Sequence, residues 1–589
     1  MPRLRVLPAH VRRRVALPLA AAATGALVLA GCGGDDEPTA STGAAPVPGG
    51  GITSALADDV PAGAVAFAEA TIRPGGDVKA AIEDIASVAG VTDVGAAIVK
   101  GLDIDDDDLG GASFERDVLP ALGDHVGGFA VRDGGARQGR AQAAGAFVAE
   151  VRDAAALRKA LDEELRRGTQ EQAEGQTYYR GPGDSKDVAV WIGDQTFAVG
   201  QVPAVRAAIA AAKGPDLAGA ERFEKAVSQV RADAEDVAGV GYVDLQQADV
   251  LNGLIERATG SSRGRQAKLR SRLRQLERGS SSLPDIDRLS RGFTIPKIDA
   301  TQALAVELAP GRLRVHSAGT GPAATGTSAA AADALAALPA GSWLAASLDG
   351  IQETLKLSGQ YGGQDPKELL ELLRSQAGVD LPQDLVDAVS GLRSATVSVR
   401  GDSLTSLGGA VTLQAKDAAA ATTLLERLRK LAESETPLRF QEQTVPGADK
   451  GLVTQLPGLP FQIAAGIKGD RLAIGLGTEA VGQTLSPSSK LGDDPIHASA
   501  EELLGGQEPS FLLDASRISN LLGTLPLGSL DDPDAKKVLD VVRRLKLAAV
   551  GGSSSGTTWT STLGLSWTPP LGGTSGGSGT TTGSSTPGR

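Results

Sequence analysis

A lone cysteine, a serine–aspartate–histidine set and a run of aspartates are the places where this 589-residue sequence carries residue types that do chemistry. Cys32 is the only cysteine. It follows Leu29-Ala30-Gly31 at the end of an apolar stretch, Val15 to Leu29, preceded by Arg3, Arg5, Arg12, Arg13 and Arg14. Only a thiolate alkylates readily in water near neutral pH, so this setting points to covalent modification at a membrane. Ser403 stands in Gly401-Asp402-Ser403-Leu404, and farther on Asp494 and His497 lie in an Asp-x-x-His arrangement. A serine nucleophile needs such an imidazole to take its proton and donors to hold the oxyanion. Asp103, Asp105, Asp106, Asp107 and Asp108 offer oxygen ligands, but a calcium loop opening at Asp103 needs glycine sixth and glutamate twelfth, where the chain has Asp108 and Phe114. The run reads as a solvated, helix-capping acidic loop, with a weak surface calcium site as the alternative. His125, His316 and His497 stand far apart in sequence, and no second cysteine joins them, so no zinc pattern or thiol nucleophile assembles. Gly475-Leu476-Gly477 with Gly482 misses the dinucleotide spacing. No metal and no cofactor is expected.

Residues 1–31 have the basic start, apolar segment and small residues of an export signal, and the apolar part is too short for a comfortable transmembrane helix. Leu29-Ala30-Gly31-Cys32 resembles the signal of bacterial lipoproteins. That resemblance implies a diacylglyceryl thioether on Cys32, cleavage before it, and palmitate-type acyl chains. Two or three such chains, at about 0.8 kcal/mol per buried methylene, hold a protein stably at a bilayer. The expected location is the extracytoplasmic face of the cell membrane. Gly401-Asp402-Ser403-Leu404 resembles the nucleophile block of the Gly-Asp-Ser-Leu esterases, whose acid and base share the Asp-x-x-His spacing. Their Gly-x-Asn-Asp block, which carries an oxyanion donor, is missing. The tetrapeptide also falls between two expected strands, where the other half of the chain has an ordinary turn, Asp133-Gly134-Gly135.

The formal net charge of −13 becomes about −18 once the signal's five arginines are removed, and such a surface repels nucleic acid. With Cys32 committed to lipid, no intramolecular disulfide can form, and the body rests on a core that is 41% apolar residues overall but only 3% aromatic. Composition divides the chain into a signal (1–31), a Gly/Pro tether (32–55), a first body unit (56–318), a linker (319–331), a second unit (332–568) and a Gly/Ser/Thr tail (569–589). The tether sets the body about 25 Å from the lipid. One basic segment stands against the acidic whole: Arg263, Arg265, Lys268, Arg270, Arg272, Arg274 and Arg278, with Leu269, Leu273 and Leu276 at helical spacing. It predicts an amphipathic helical insertion over 262–278, either docked on its acidic host or touching anionic lipid or wall polymer.

The two units repeat one another in order. Pro61-Ala62-Gly63 returns as Pro339-Ala340-Gly341, Gly145-Ala146 through Asp153-Ala154 as Gly409-Ala410 through Asp417-Ala418, and Gly193-Asp194 with Phe197 to Gly200 as Gly469-Asp470 with Leu472 to Gly475. In the first unit, strands are predicted at Val65 to Thr71, Gly127 to Arg132, Ala146 to Val151, Asp187 to Trp191, Gln195 to Val199, Ala238 to Asp244, Ala303 to Leu308 and Arg312 to Ser317. Helices are predicted at Val78 to Ala89, Val94 to Leu102, Ala154 to Arg166 behind an Asp153 cap, and after Pro203 through Ala212. The expected fold class is α+β: two pseudo-symmetric lobes, each a curved, mostly antiparallel sheet covered on one face by helices.

Phe114 to Asp124, which includes Asp117-Val118-Leu119-Pro120-Ala121-Leu122-Gly123, resembles the Asp-Val-x-Pro-x-Leu-Gly segment of actinobacterial cell-surface lipoproteins of the DUF3352 family. The counterpart Leu381 to Gly391 lacks the inner proline. The resemblance spans about 55–568 and brings no known activity. The function expected is a non-catalytic lipoprotein that binds or scaffolds at the cell envelope, with an envelope polymer, protein or lipid as partner. A carrier of a lipid or other apolar ligand is the alternative, and an esterase through Ser403 the third reading.

Overall fold

Short runs of Ala, Val and Gly with apolar residues on both parities set up strands that need cover on two faces. The computed structural model describes residues 54–88, 114–134, 142–183, 186–230, 237–253, 298–321, 328–351, 391–403, 406–435, 438–456, 461–524 and 543–569. The first half contributes β1 (Ala64–Thr71), β2 (Leu122–Asp133), β3 (Gln142–Val151), β4 (Thr169–Ala173), β5 (Gln176–Arg180), β6 (Val188–Ile192), β7 (Thr196–Gln201), β8 (Val237–Asp244), β9 (Thr301–Ala309) and β10 (Arg312–Thr320). The second contributes β11 (Ser342–Leu348), β12 (Ser394–Arg400), β13 (Gly408–Gln414), β14 (Gln441–Glu442), β15 (Lys450–Gln455), β16 (Gln462–Lys468), β17 (Arg471–Leu476), β18 (Pro509–Asp514), β19 (Leu545–Ser555) and β20 (Thr558–Trp567). The α-helices are α1 (Gly76–Val88), α2 (Ala154–Ala160), α3 (Asp162–Arg167), α4 (Val202–Ala211), α5 (Glu221–Val227), α6 (Ala329–Ala336), α7 (Ala418–Glu435), α8 (Thr478–Leu485), α9 (Pro495–Leu503) and α10 (Ala515–Thr524).

Among the described residues all twenty strands join one open sheet, and every pairing between them is antiparallel. Along the hydrogen-bonded neighbours the order is β4-β5-β6-β7-β3-β2-β1-β8-β9-β10-β20-β19-β18-β11-β12-β13-β17-β16-β15-β14. On one face α4 and α5 cover Phe67, Phe129 and Ala146, α6 and α9 cover Ala345, Leu512 and Ala549, and α8 covers Ala410 and Ala473. On the other, α1 packs on Leu308 and Val306, α2 and α3 on Val126, Ala149 and Phe197, and α7 on Leu413, Leu472 and Ala465. Gly200 of β7 and Gly475 of β17 answer the same crowding. A Cβ at Gly200 falls 2.5 Å from the Ala146 Cα, and one at Gly475 falls 2.0 Å from the Gly409 carbonyl oxygen.

The expected pair of separate sheets, each covered on one face, is therefore corrected to a single sheet with helices on both faces. Ala64, Val65, Ala66 and Phe67 are buried in succession, so neither face can be left to water. The expected linker at 319–331 is also narrower. Gly319 and Thr320 pair in β10 with Trp559 and Thr558, and Ser328 caps α6 through its hydroxyl. The Asp153 cap holds, accepting from the Ala156 N–H, but its helix breaks at Leu161 into α2 and α3. The β4–β5 hairpin has no apolar run to announce it; it turns at Glu174 and Gly175, both at positive φ (48° and 72°), as a type I′ turn requires. Helix α5 lies outside the helices that the sequence predicts. The signal (1–31), Cys32, the tether up to 53, the helix expected at 94–102, the aspartate run 103–108, the basic segment 262–278, residues 381–390 and the tail from 570 lie outside the described residues.

The two halves meet along β10 and β20, which pair over their whole length with His316 opposite Thr562. Beside that line Glu307 of β9 is 1% exposed. Its Oε1 accepts from Arg312 Nη2 and Arg314 Nη1, both at 3.0 Å, and its Oε2 lies 2.9 Å from His316 Nε2. Arg314 also donates to the Leu503 and Glu502 carbonyls at the end of α9, at 2.6 and 2.8 Å, where a cation suits the helix dipole. His316 Nδ1 faces Thr562 Oγ1 at 3.1 Å. Removing this buried carboxylate leaves the part-buried Arg312 and Arg314 without their shared acceptor, a change that costs on the order of 3 kcal/mol. Glu307→Ala should lower unfolding stability by about that amount in urea titration; a loss below about 1 kcal/mol would show that the seam does not depend on it.

Candidate functional site

The structure gives Ser403 and His497 separate partners. Ser403 lies in the turn between β12 and β13, where Gly401 takes a φ of 100°. Its hydroxyl is 2.8 Å from that of Ser406, and Ser406 also donates to Asp402 at 3.0 Å, stitching the turn together. His497 is buried in α9 with Nδ1 3.3 Å from Glu501, and its Nε2 has no hydrogen-bond partner. Asp494 caps that helix, accepting from the Ile496 and Gly341 N–H groups at 3.2 and 2.9 Å. Each of the three serves local structure, and they form no relay. No group of three or more His, Cys, Asp or Glu among the described residues is placed to hold a metal ion.

What the fold does assemble is a polar anchor at residues 54–56, ahead of β1. Glu69, a carboxylate within the apolar strand β1, accepts from the Ser54 hydroxyl, from the Ala55 and Leu56 N–H groups at 3.1 Å each, and from His125 Nδ1 at 3.1 Å. Burial works to raise the Glu69 pKa, but the bonds from His125, Ser54 and the two backbone groups outweigh it and hold the carboxyl below its usual range. The bond to Glu69 raises the His125 pKa, against partial burial and with help from Glu150 and Asp124. Beneath them Glu150 of β3 accepts from the Asp124 and His125 N–H groups at 2.8 and 3.1 Å. A Cβ on Gly123 would lie 2.4 Å from the Glu150 Cβ, so only glycine fits there. Arg73 reaches the Leu119 and Leu122 carbonyls at 2.6 and 2.8 Å. The Asp117–Gly123 motif is thus a structural corner that carries β1 and β2 into register.

Glu69, Glu150 and Glu307 belong to no chemical motif in the sequence. The available signal was a single carboxylate inside an otherwise apolar strand, as in Ala64–Thr71, Gln142–Val151 and Thr301–Ala309. A second feature is apolar. On the face opposite α6 and α8, Leu344, Ala346, Val397, Val399, Val411 and Phe511 lie side by side across β11, β12, β13 and β18. Val411 is 42% and Leu348 38% exposed. A groove of about 420 Å³ also opens at the start of α7, lined by Lys416, Asp417, Thr423 and Arg427.

Residues 290–566 match the family model described as Protein of unknown function (DUF3352). The DUF3352 match runs from ahead of β9 into β20 and so takes in the central seam and the whole second half of the sheet; it does not include the Phe114–Asp124 segment. No curated protein matches the chain. Among solved structures, crystal form IV of TP0453 is similar over 45% of this chain and 79% of that one, at 11% identity and a TM-score of 0.22. Crystal form III is similar over 45% and 78%, at 13% identity and a TM-score of 0.21. No helix among the described residues is long and apolar enough to cross a membrane.

The Glu69–His125 tie has a defined pH window. The raised His125 pKa stabilises fully below the unfolded value of 6.5 and is lost as pH rises through the folded value; the lowered Glu69 pKa stabilises above the unfolded 4.5 and is lost as pH falls through the folded one. His125→Gln should therefore cost most stability at about pH 5.5 and little at about pH 9, read as the shift in urea midpoint against wild type. A difference that stays constant over that range would remove the ionic tie from the account.

Proposed function

We propose that this chain is a non-catalytic lipoprotein, anchored through acyl chains on Cys32 at the extracytoplasmic face of the membrane, that binds or scaffolds components of the cell envelope. The observation that carries this reading is the Glu69 anchor. The tether meets the body where a buried carboxylate takes three bonds from residues 54–56, which suits a body held by its N-terminal end. We infer also that the body is a duplicated unit, β1 to β10 answering β11 to β20. Support comes from the strand order, which visits corresponding strands in the same sequence outward from β10 and β20, and from Gly200 and Gly475 meeting Ala146 and Ala410 in the same way. In cell fractionation with fatty-acid labelling, wild type is expected in the membrane fraction carrying label and Cys32→Ser unlabelled and released. A Cys32→Ser protein still held in the membrane would defeat the anchor.

The half-exposed aliphatic face across β11, β12, β13 and β18 favours one further reading, a carrier of a lipid or other apolar ligand. Native mass spectrometry of the purified chain, followed by organic extraction, should then find one co-purified lipid per chain. A ligand-free mass discards the carrier and leaves the scaffold.

A further inference from the structure

At the same level of the sheet the two halves fill their interiors with different chemistry. In the first half Phe67 of β1 faces Phe129 of β2, which faces Ala146 of β3. Both phenylalanines are fully buried, Phe67 meets Phe223 edge-on at 6.2 Å, and all join one continuous cluster. In the second half Ala345 of β11 faces Ser398 of β12, which faces Ala410 of β13. One level along, Gly127 opposite Val148 is answered by Thr396 opposite Thr412; in the other direction, Val131 opposite Ala144 is answered by Arg400 opposite Gly408. Large apolar volume is thus exchanged for hydroxyls and a guanidinium.

Strand β12 consequently turns Thr396, Ser398 and Arg400 toward the helices and Val397 and Val399 away from them. The apolar packing parts along it, one cluster lying under α6 and α9 and another under α8. The hydroxyls of Ser347, 8% exposed, and Thr412, 7% exposed, flank Thr396 on the neighbouring strands, and neither has a hydrogen-bond partner. Native folds seldom leave such groups unpaired. Ser398 is 3.4 Å from Thr484 of α8. At the end of the seam Arg400 is half-buried and, among the described residues, meets no carboxylate or other acceptor at hydrogen-bond distance. Burial pushes its pKa down, and exposed Glu479 opposes that shift from the first turn of α8. That turn lies over Gly408, and its cap, Gly477, supplies no side chain to its free N–H groups. Beside Arg400, the β11 bulge carries Trp343, whose buried indole N–H also lacks a partner.

We propose that this seam binds an anionic saccharide, Arg400 taking its carboxylate or phosphate and the Ser347, Thr396 and Thr412 hydroxyls taking its hydroxyl groups, with Ser398 leaving the room that Phe129 fills in the first half. Each hydroxyl can both donate and accept, as a polyol's own groups do, and a guanidinium holds a planar anion by two bonds. Recognition is by hydrogen bonding and charge rather than by aromatic stacking. The site rests on the envelope-binding reading and gives it a ligand class.

The test is calorimetric titration of the full chain in detergent with glucuronate, glucose and inorganic phosphate. Glucuronate should bind at least about tenfold more tightly than either of the others, and Arg400→Gln should weaken it about tenfold with the thermal midpoint unchanged. Thr412→Val should weaken it severalfold, and Ser398→Phe, which installs the first half's side chain, should abolish it. Absence of heat with glucuronate up to about 10 mM, equal affinity for phosphate, or wild-type affinity in Arg400→Gln each overturns the proposal. Should Ser398→Phe fail to fold, the half-exposed Arg400 variant still decides. Because purified protein is titrated, failure here counts against the saccharide site alone, while the Cys32→Ser fractionation judges the anchored reading separately.

Discussion

A carboxylate with almost no contact with water sits beside the line where two runs of ten strands become one sheet. Within each half one pairing already spans a long stretch of chain, β1 with β8 and β11 with β18, and the union of the halves depends on a longer one still, between segments about 250 residues apart in sequence. Backbone bonds alone specify such a pairing weakly, since a shift of two residues would keep the same faces inward. Side chains that Glu307 holds on β10 restrict that freedom. Glu307 bonds Arg312, Arg314 and His316, and of these His316 meets Thr562 across the seam and Arg314 reaches the end of α9, contacts that a shifted β20 would break. Trp567 adds a bond to Asp84 of α1, carrying the last strand back onto the first half.

The same device recurs at smaller scale. Glu69 and Glu150 are likewise single acids in apolar strands, and each collects backbone N–H groups that have no strand partner. Burying a carboxylate is unfavourable unless it is hydrogen-bonded, and these three accept from groups that define a corner, the approach to β1 and a seam. The charged interior of this protein is therefore positional. It fixes where chain segments meet, while the Ala-rich clusters on either face supply the bulk of the burial.

Much of this was legible in the residues. The hairpins at Gly193 and at Pro310-Gly311, the Asp153 cap and the helix opening at Pro203 follow from turn and cap chemistry, and each stands where that chemistry puts it. The β4–β5 hairpin was not legible, because Thr169 to Arg180 has no apolar period and its strand character comes from pairing onto β6. The single sheet escaped for a related reason: no local pattern in Arg312–Thr320 or Thr558–Trp567 states that the two will meet. Ser403 and His497 illustrate the converse, since spacing that suits a relay is also the spacing of a turn and of an Asp-Pro helix start. The contrast between Phe129 and Ser398 could be seen only once the strands had been placed level with one another.

The ends of the sheet have a consequence of their own. An antiparallel sheet that stops without closing leaves a free row of amides on its last strands, and such rows recruit further strands from other molecules. Here one terminal strand is Thr-Gln-Glu-Gln-Ala with mostly exposed side chains, and the other has two residues, Gln441 and Glu442. Neither is long or apolar enough to template growth. Among the described residues a sheet of twenty strands thus ends on two strands that offer another copy little to extend.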